Sequence, residues 1–134
     1  MKNELIRIPE CQFAAIKADI NTEGTYFVEI DGKAIQSKMQ LLDRFAEAYD
    51  FSTADGTWGK NWDALDDLME ALDWIPQDKH VLAIHSYSKL LYRDKESKAI
   101  FGDCLKDWLE FWENEVQDCV LGGSAKEFTV YLID

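Results

Sequence analysis

The residues best suited to chemistry are a row of carboxylates, Asp63, Asp66, Asp67, Glu70 and Asp73, directly behind Trp58-Gly59-Lys60-Asn61-Trp62. Two carboxylates can run glycoside hydrolysis when they flank a substrate from opposite sides. Asp63 and Asp67 are four residues apart, so on a helix their Cβ atoms lie only about 5–6 Å apart on one convex face. That geometry suits binding better than acid–base catalysis. Asp63, Asp67 and Glu70 also repel one another at helical spacing, at about 0.2–0.5 kcal/mol per pair. Asp63 recovers a few tenths of a kcal/mol from the helix dipole. No Lys or Arg lies within the segment, and the nearest, Lys60, precedes it. A helix that carries such repulsion when free has an electrostatic reason to meet a cationic partner.

Other reactive residue types offer less. His80 and His85 flank the apolar run Val81 to Ile84. At the ends of one strand, five apart, they point to opposite faces and do not form a joint metal site; both read as partly solvated. Cys11, Cys104 and Cys119 are an odd, scattered set without a C-x-x-C pair. They read as small buried hydrophobes of a reducing compartment, not as a disulfide or zinc framework. There is no G-x-G-x-x-G, no G-x-x-x-x-G-K-[ST] and no H-E-x-x-H, so the chain has no obvious nucleotide cradle or zincin helix.

The whole composition narrows the partners. Of 134 residues, 26 are acidic and 14 basic, giving a net charge of −12. Direct binding of nucleic acid or of an anionic membrane is disfavoured, because phosphate binding is driven by Lys and Arg. With 47% hydrophobic and 13% aromatic residues, five of them Trp, the chain is no disordered acidic tail. The amino-terminal segment has no apolar run of signal-peptide type, and no stretch approaches the roughly 20 residues of a membrane span. A cytoplasmic protein, monomeric when free, is the expectation.

The elements that must position the carboxylates follow from periodicity. Tyr26, Val28 and Ile30 alternate and end at Asp31-Gly32, a strand followed by a turn. Ser37 caps a helix whose buried stripe is Leu42, Phe45, Ala46 and Tyr49. Asp50 to Lys60 is a loop. Gly59 supplies a turn of positive φ. Asn61 caps a second helix with Trp62, Leu65, Met69 and Leu72 inward, Leu68 beside them and the acids outward, closed by Pro76. Val81 to Ile84 reads as a strand covered on both faces. Ser88 to Lys98 reads as a short helix. A longer one follows, with Phe101, Cys104, Leu105, Trp108 and Trp112 on one face and Asp103, Lys106, Asp107, Glu110 and Glu113 on the other. Gly122-Gly123 breaks the chain before a final strand, Phe128 to Ile133. Strands alternating with helices point to a small parallel sheet packed with helices. Residues 1–24 stand outside this pattern, as an edge strand or an extended arm.

The segment Trp58-Gly59-Lys60-Asn61-Trp62-Asp63-Ala64-Leu65-Asp66-Asp67 resembles the signature of the barstar family, protein inhibitors of barnase-type ribonucleases. That signature is an aromatic residue, Gly, one residue, Asn, an apolar residue, Asp-Ala-Leu, and a further Asp four positions after the first. The resemblance implies a three-stranded parallel α/β fold over residues 25–134, with residues 1–24 as an amino-terminal extension. It implies that the loop and second helix enter a nuclease active site, where carboxylates take the place of RNA phosphates. By position, Asp67 would be the main anion, Asp63 the second, and Trp58 the loop aromatic. Gly59, Asn61, Asp66 and Glu70 complete the expected partner-binding set. Thr57, Asp66 and Leu72 stand where aromatic residues occur in the family, which alters the contact rim and suits a basic partner other than barnase itself. A last-helix contact falls on Glu110, Glu113 or Glu115.

Three readings are ordered from this. The first is a non-catalytic immunity protein for a basic ribonuclease or related toxin, with no cofactor and no metal. The second is an acidic interaction module of the same fold for a non-nuclease protein. The third is an enzyme whose acidic helix holds Mg²⁺ or Ca²⁺ through oxygens.

Overall fold

A computed structural model describes residues 3–53, 58–115 and 126–134 of the chain, without the side chains of Thr53, Asn114 and Glu115. Thr57, Cys119, Gly122-Gly123 and the Glu115 side chain therefore lie outside the described residues. The elements in order are β1 (Glu4–Ile8), α1 (Glu10–Ala18), β2 (Thr25–Asp31), α2 (Lys38–Ala48), α3 (Trp62–Met69), β3 (Lys79–His85), α4 (Lys95–Glu110) and β4 (Glu127–Ile133). They build one sheet in the order β1-β4-β3-β2, with every pairing parallel.

The expected α/β class and parallel sheet are present, but the sheet has four strands, not three. The fourth is β1, which pairs with β4 from Glu4 opposite Thr129 to Ile8 opposite Ile133. Five residues of mixed polarity give too short an alternation to be read locally, and their partner lies at the other end of the chain. Asn3 fixes the start of the pairing. Its Oδ1 accepts the Phe128 N–H at 2.9 Å, and its Nδ2 donates to the Leu109 carbonyl at 3.1 Å.

The two faces of the sheet are filled differently. Val28, Ile30, Leu82, Ile84, Phe128, Val130 and Leu132 meet α2, α3 and α4 in the main core. On the other face α1 inserts Phe13 against Ala83 and Ile133, with Ile8, Ile16, Phe27 and Tyr131 around it. Helix α1 is held there by a charged clasp. His85 Nδ1 lies 3.1 Å from both Glu10 oxygens and His85 Nε2 lies 2.8 Å from Glu29 Oε2, while Lys17 pairs with Glu29 at 2.9 Å. Both ring nitrogens face acceptor-only groups, so the imidazolium satisfies them best. Burial pulls its pKa down, but the hydrogen bonds and charges of Glu10 and Glu29 outweigh it and raise the pKa above the ordinary value.

His80 differs from the expectation of a solvated strand end. It is 2% exposed, stacked on Phe128 at 5.0 Å and beside Tyr26 at 5.5 Å. Burial, with the Lys126 charge nearby, pushes its pKa down to about 4. Cys104 is buried as expected, but Cys11 is exposed on α1. The segment from Ser88 to Lys98 is not a separate helix: a 3₁₀ turn over Tyr87–Lys89 leads to α4, which starts at Lys95 under an Asp94 cap. Gly32 is needed for close approach, since a Cβ there would stand 2.5 Å from the Ser86 carbonyl oxygen. No described helix is long and apolar enough to cross a membrane.

Candidate functional site: an acidic helix braced by two tryptophans

Helix α3 carries the acids, and its start is built as its sequence dictates. Asn61 Oδ1 accepts the Ala64 N–H at 2.7 Å, the expected cap, and its Nδ2 reaches the Gly59 carbonyl at 3.4 Å. The positive φ falls on Lys60, at 51°, not on Gly59. Gly59 matters through space: a Cβ there would stand 3.3 Å from Asn61 Nδ2 and 3.4 Å from the Ala64 Cβ. Leu65, Met69 and Leu72 are fully buried, Trp62 only partly, with the Lys38 ammonium 5.6 Å from its ring centroid. The helix is shorter than the stripe suggested. It closes at Met69 with Glu70 as its C-cap, and Leu72 turns left-handed at φ 51°. Asp73 therefore leaves the helix, and the row is four acids on α3 and its cap.

Those four do not share one environment. Asp63 and Asp67 are exposed, one turn apart, while Asp66 and Glu70 are half-buried. Asp66 turns toward α4, where its Oδ1 accepts the Trp108 Nε1–H at 2.7 Å. Burial first, and the Asp66 charge beside it, push the Cys104 thiol up to about 12. A second indole completes the brace: Trp112 Nε1 donates to the Met69 carbonyl at 2.9 Å, at the end of α3. The segment after α3 is held by buried Lys126, whose Nζ donates to the carbonyls of Ile75 at 3.1 Å and Gln77 at 2.9 Å. So α3 is fixed along its length by groups that carry few rotatable degrees of freedom into the exposed face.

Trp58 is half-buried, its ring edge-on to Phe51 at 5.0 Å, and its Nε1 is buried without a hydrogen-bond partner. Lys60 lies near the acids in sequence but turns to Asp43 of α2, at 3.6 Å. Glu110 and Glu113 are both exposed at the end of α4 and in the π-turn Phe111–Glu115 that continues it. Sequence reasoning missed Trp108 and Trp112 as parts of the site. The signal was available, because an indole N–H on a buried stripe needs an acceptor, and α3 supplies acceptors. Among the described residues, no three His, Cys, Asp or Glu side chains converge to hold a metal ion.

The class that the fold and site define is a parallel α/β protein presenting an acidic helix braced from within by two indoles. The family model described as Barstar (barnase inhibitor) matches residues 25–131, and the chain belongs to that family. The match runs from the first residue of β2 into β4 and leaves β1 and α1 outside it. A search among curated proteins finds no match to the chain.

Proposed function

We propose that the protein is a non-catalytic inhibitor of a basic, barnase-type ribonuclease and blocks its active site with the exposed face of α3. The observation that carries this is the pair Asp63 and Asp67, exposed one turn apart on a helix whose inner side is tied to Trp108 and Trp112. A carboxylate accepts bidentate Arg bonds as a phosphate does. A braced helix loses little entropy on docking. An acidic face steers a basic partner into register (the barnase–barstar pair is the usual illustration). In this reading Asp67 and Asp63 are the contact anions, with Glu70, Gly59 and Asn61 at the rim. Asp66, tied to Trp108 from within, sets the helix in place rather than reaching outward.

The test is RNA cleavage by a barnase-type ribonuclease titrated with the full chain. Cleavage is expected to fall as the chain approaches equimolar amounts, and Asp67→Ala is expected to abolish that effect at the same concentrations. Unchanged cleavage with the native chain, or equal inhibition by Asp67→Ala, argues against the reading. In a second reading the same acidic face meets a basic protein other than a nuclease. Affinity capture followed by identification of a partner without a basic catalytic cleft would favour it.

A further inference from the structure

Away from the acidic helix, the carboxyl ends of β1, β4 and β3 open into a groove of about 650 Å³. The carboxyl ends of parallel strands are where open α/β sheets bind ligands, and the volume lies within the usual range for small-molecule pockets. Its lining reverses the charge of the molecule: Arg7 of β1 and Lys95, Lys98 and Lys106 of α4 outnumber the side-chain carboxylates of Asp103 and Asp134. In a chain of net charge −12, such a grouping goes against the average field.

The four cations are also left without ion pairs. None of them lies within 4.0 Å of a carboxylate oxygen among the described residues. Two are held instead on one aromatic ring. The Lys98 ammonium lies 4.5 Å from the Tyr87 ring centroid and donates to the Tyr87 carbonyl at 2.6 Å, and the Arg7 guanidinium lies 5.8 Å from the same ring. Burial lowers the Lys98 pKa, Asp134 draws it back, and the neighbouring Arg7 lowers it further. Asp103 and Asp134 offset these like charges only in part and from beyond ion-pair distance, so an added anion would relieve them. The floor between them is left open by small residues of α4. Ala99 and Gly102 face the groove, and a Cβ on Gly102 would stand 3.9 Å from the Tyr87 hydroxyl. That hydroxyl is a donor at the base of the groove.

We propose that this groove is a second binding site, for a small phosphomonoester dianion of about nucleotide size, held by Arg7, Lys95, Lys98 and Lys106 with Tyr87 at its floor. It shares no residue with the acidic face of α3, so it can be filled while that face is engaged. Because β1 supplies Arg7, the extension outside the family match takes part in building it.

The test is calorimetric titration of the full chain at low ionic strength with adenosine 5′-monophosphate, inorganic phosphate and uncharged adenosine. Saturable binding of adenosine 5′-monophosphate with a Kd of about 1 mM or tighter is expected. Lys106→Gln and Lys95→Gln replace exposed side chains without hydrogen bonds in the fold, and each is expected to weaken binding by about tenfold. Asp67→Ala is expected to leave it unchanged, which separates this site from the inhibitory one. Comparable affinity for inorganic phosphate supports the site with free phosphate as the natural source. No saturation by either phosphate probe up to about 10 mM, equal affinity for adenosine, or equal affinity in the two lysine variants would overturn the proposal.

Discussion

Asp66 and Asp67 are adjacent in sequence and opposite in role: one accepts an indole N–H at 2.7 Å, the other is exposed. Removing the inner one strands the Trp108 N–H in the core. Asp66→Ala is expected to lower unfolding free energy by about 1.5–3 kcal/mol, the range for a hydrogen bond to a charged group, as read from denaturant titration. Asp67→Ala is expected to change stability by less than about 0.5 kcal/mol, as at exposed positions generally. The alternation of exposed and apolar residues made Asp63 and Asp67 legible as an outward pair. The inward turn of Asp66 was not, because Trp108 lies 42 residues further on and only the packing of α4 brings it close. The histidines make a paired prediction with opposite signs. His80 has its folded pKa depressed from 6.5 to about 4. Its contribution is therefore complete above pH 6.5 and is lost as pH falls through 4, a loss approaching about 3 kcal/mol. His85 has its folded pKa raised. Its contribution is present below the unfolded pKa and is lost as pH rises through the folded one. Unfolding measured across pH in His80→Gln and His85→Gln variants should flatten the acid and the alkaline slope respectively, with Glu29 and Asp94, whose carboxyls are also held low, still contributing on the acid side.

Helix α3 has only eight residues, too few to be stable alone, so its ends and its brace decide whether the acids stay in register. Asn61→Ala removes the cap at Ala64 and is expected to cost about 1 kcal/mol in unfolding free energy. The same variant should weaken partner binding, while Glu47→Gln at an exposed position of α2 should not. The cap and the apolar stripe could be read directly, since both are local patterns. The early end at Met69 could not, because the stripe continues through Leu72 although the backbone has already turned left-handed there. The extension shows the same limit at a larger sequence separation. Leu5, Ile6 and Ile8 are too few to declare a strand, and their partners are Val130, Tyr131 and Ile133. Helix α1 contributes one large buried anchor, Phe13, at 1% exposure. Phe13→Ala is expected to cost about 3–5 kcal/mol in denaturant unfolding. Under conditions where the variant stays folded, it should leave ribonuclease inhibition unchanged.

At the scale of the molecule, the net charge of −12 is unevenly used. One face gathers exposed carboxylates on α3, while the groove at the carboxyl ends of the strands gathers four cations, two of them over the Tyr87 ring. Composition alone disfavours direct binding of nucleic acid or of an anionic membrane, and it does so by averaging over these two regions. The fold separates them, because the groove is lined by Arg7 of β1, Tyr87 and one side of α4 from Lys95 to Lys106, none of which belongs to α3. The central claim is that the acidic face of α3 recognises a basic catalytic cleft through charge. It is tested most directly by measuring association with a barnase-type ribonuclease as salt rises to about 0.5 M, where the screening length is only a few ångströms. The native chain should bind tightly at low salt and lose affinity steeply as salt increases. The double variant Asp63→Asn, Asp67→Asn should bind at least about a hundredfold more weakly at low salt and show a flatter salt dependence. Affinity equal in the two proteins and indifferent to salt would contradict the claim.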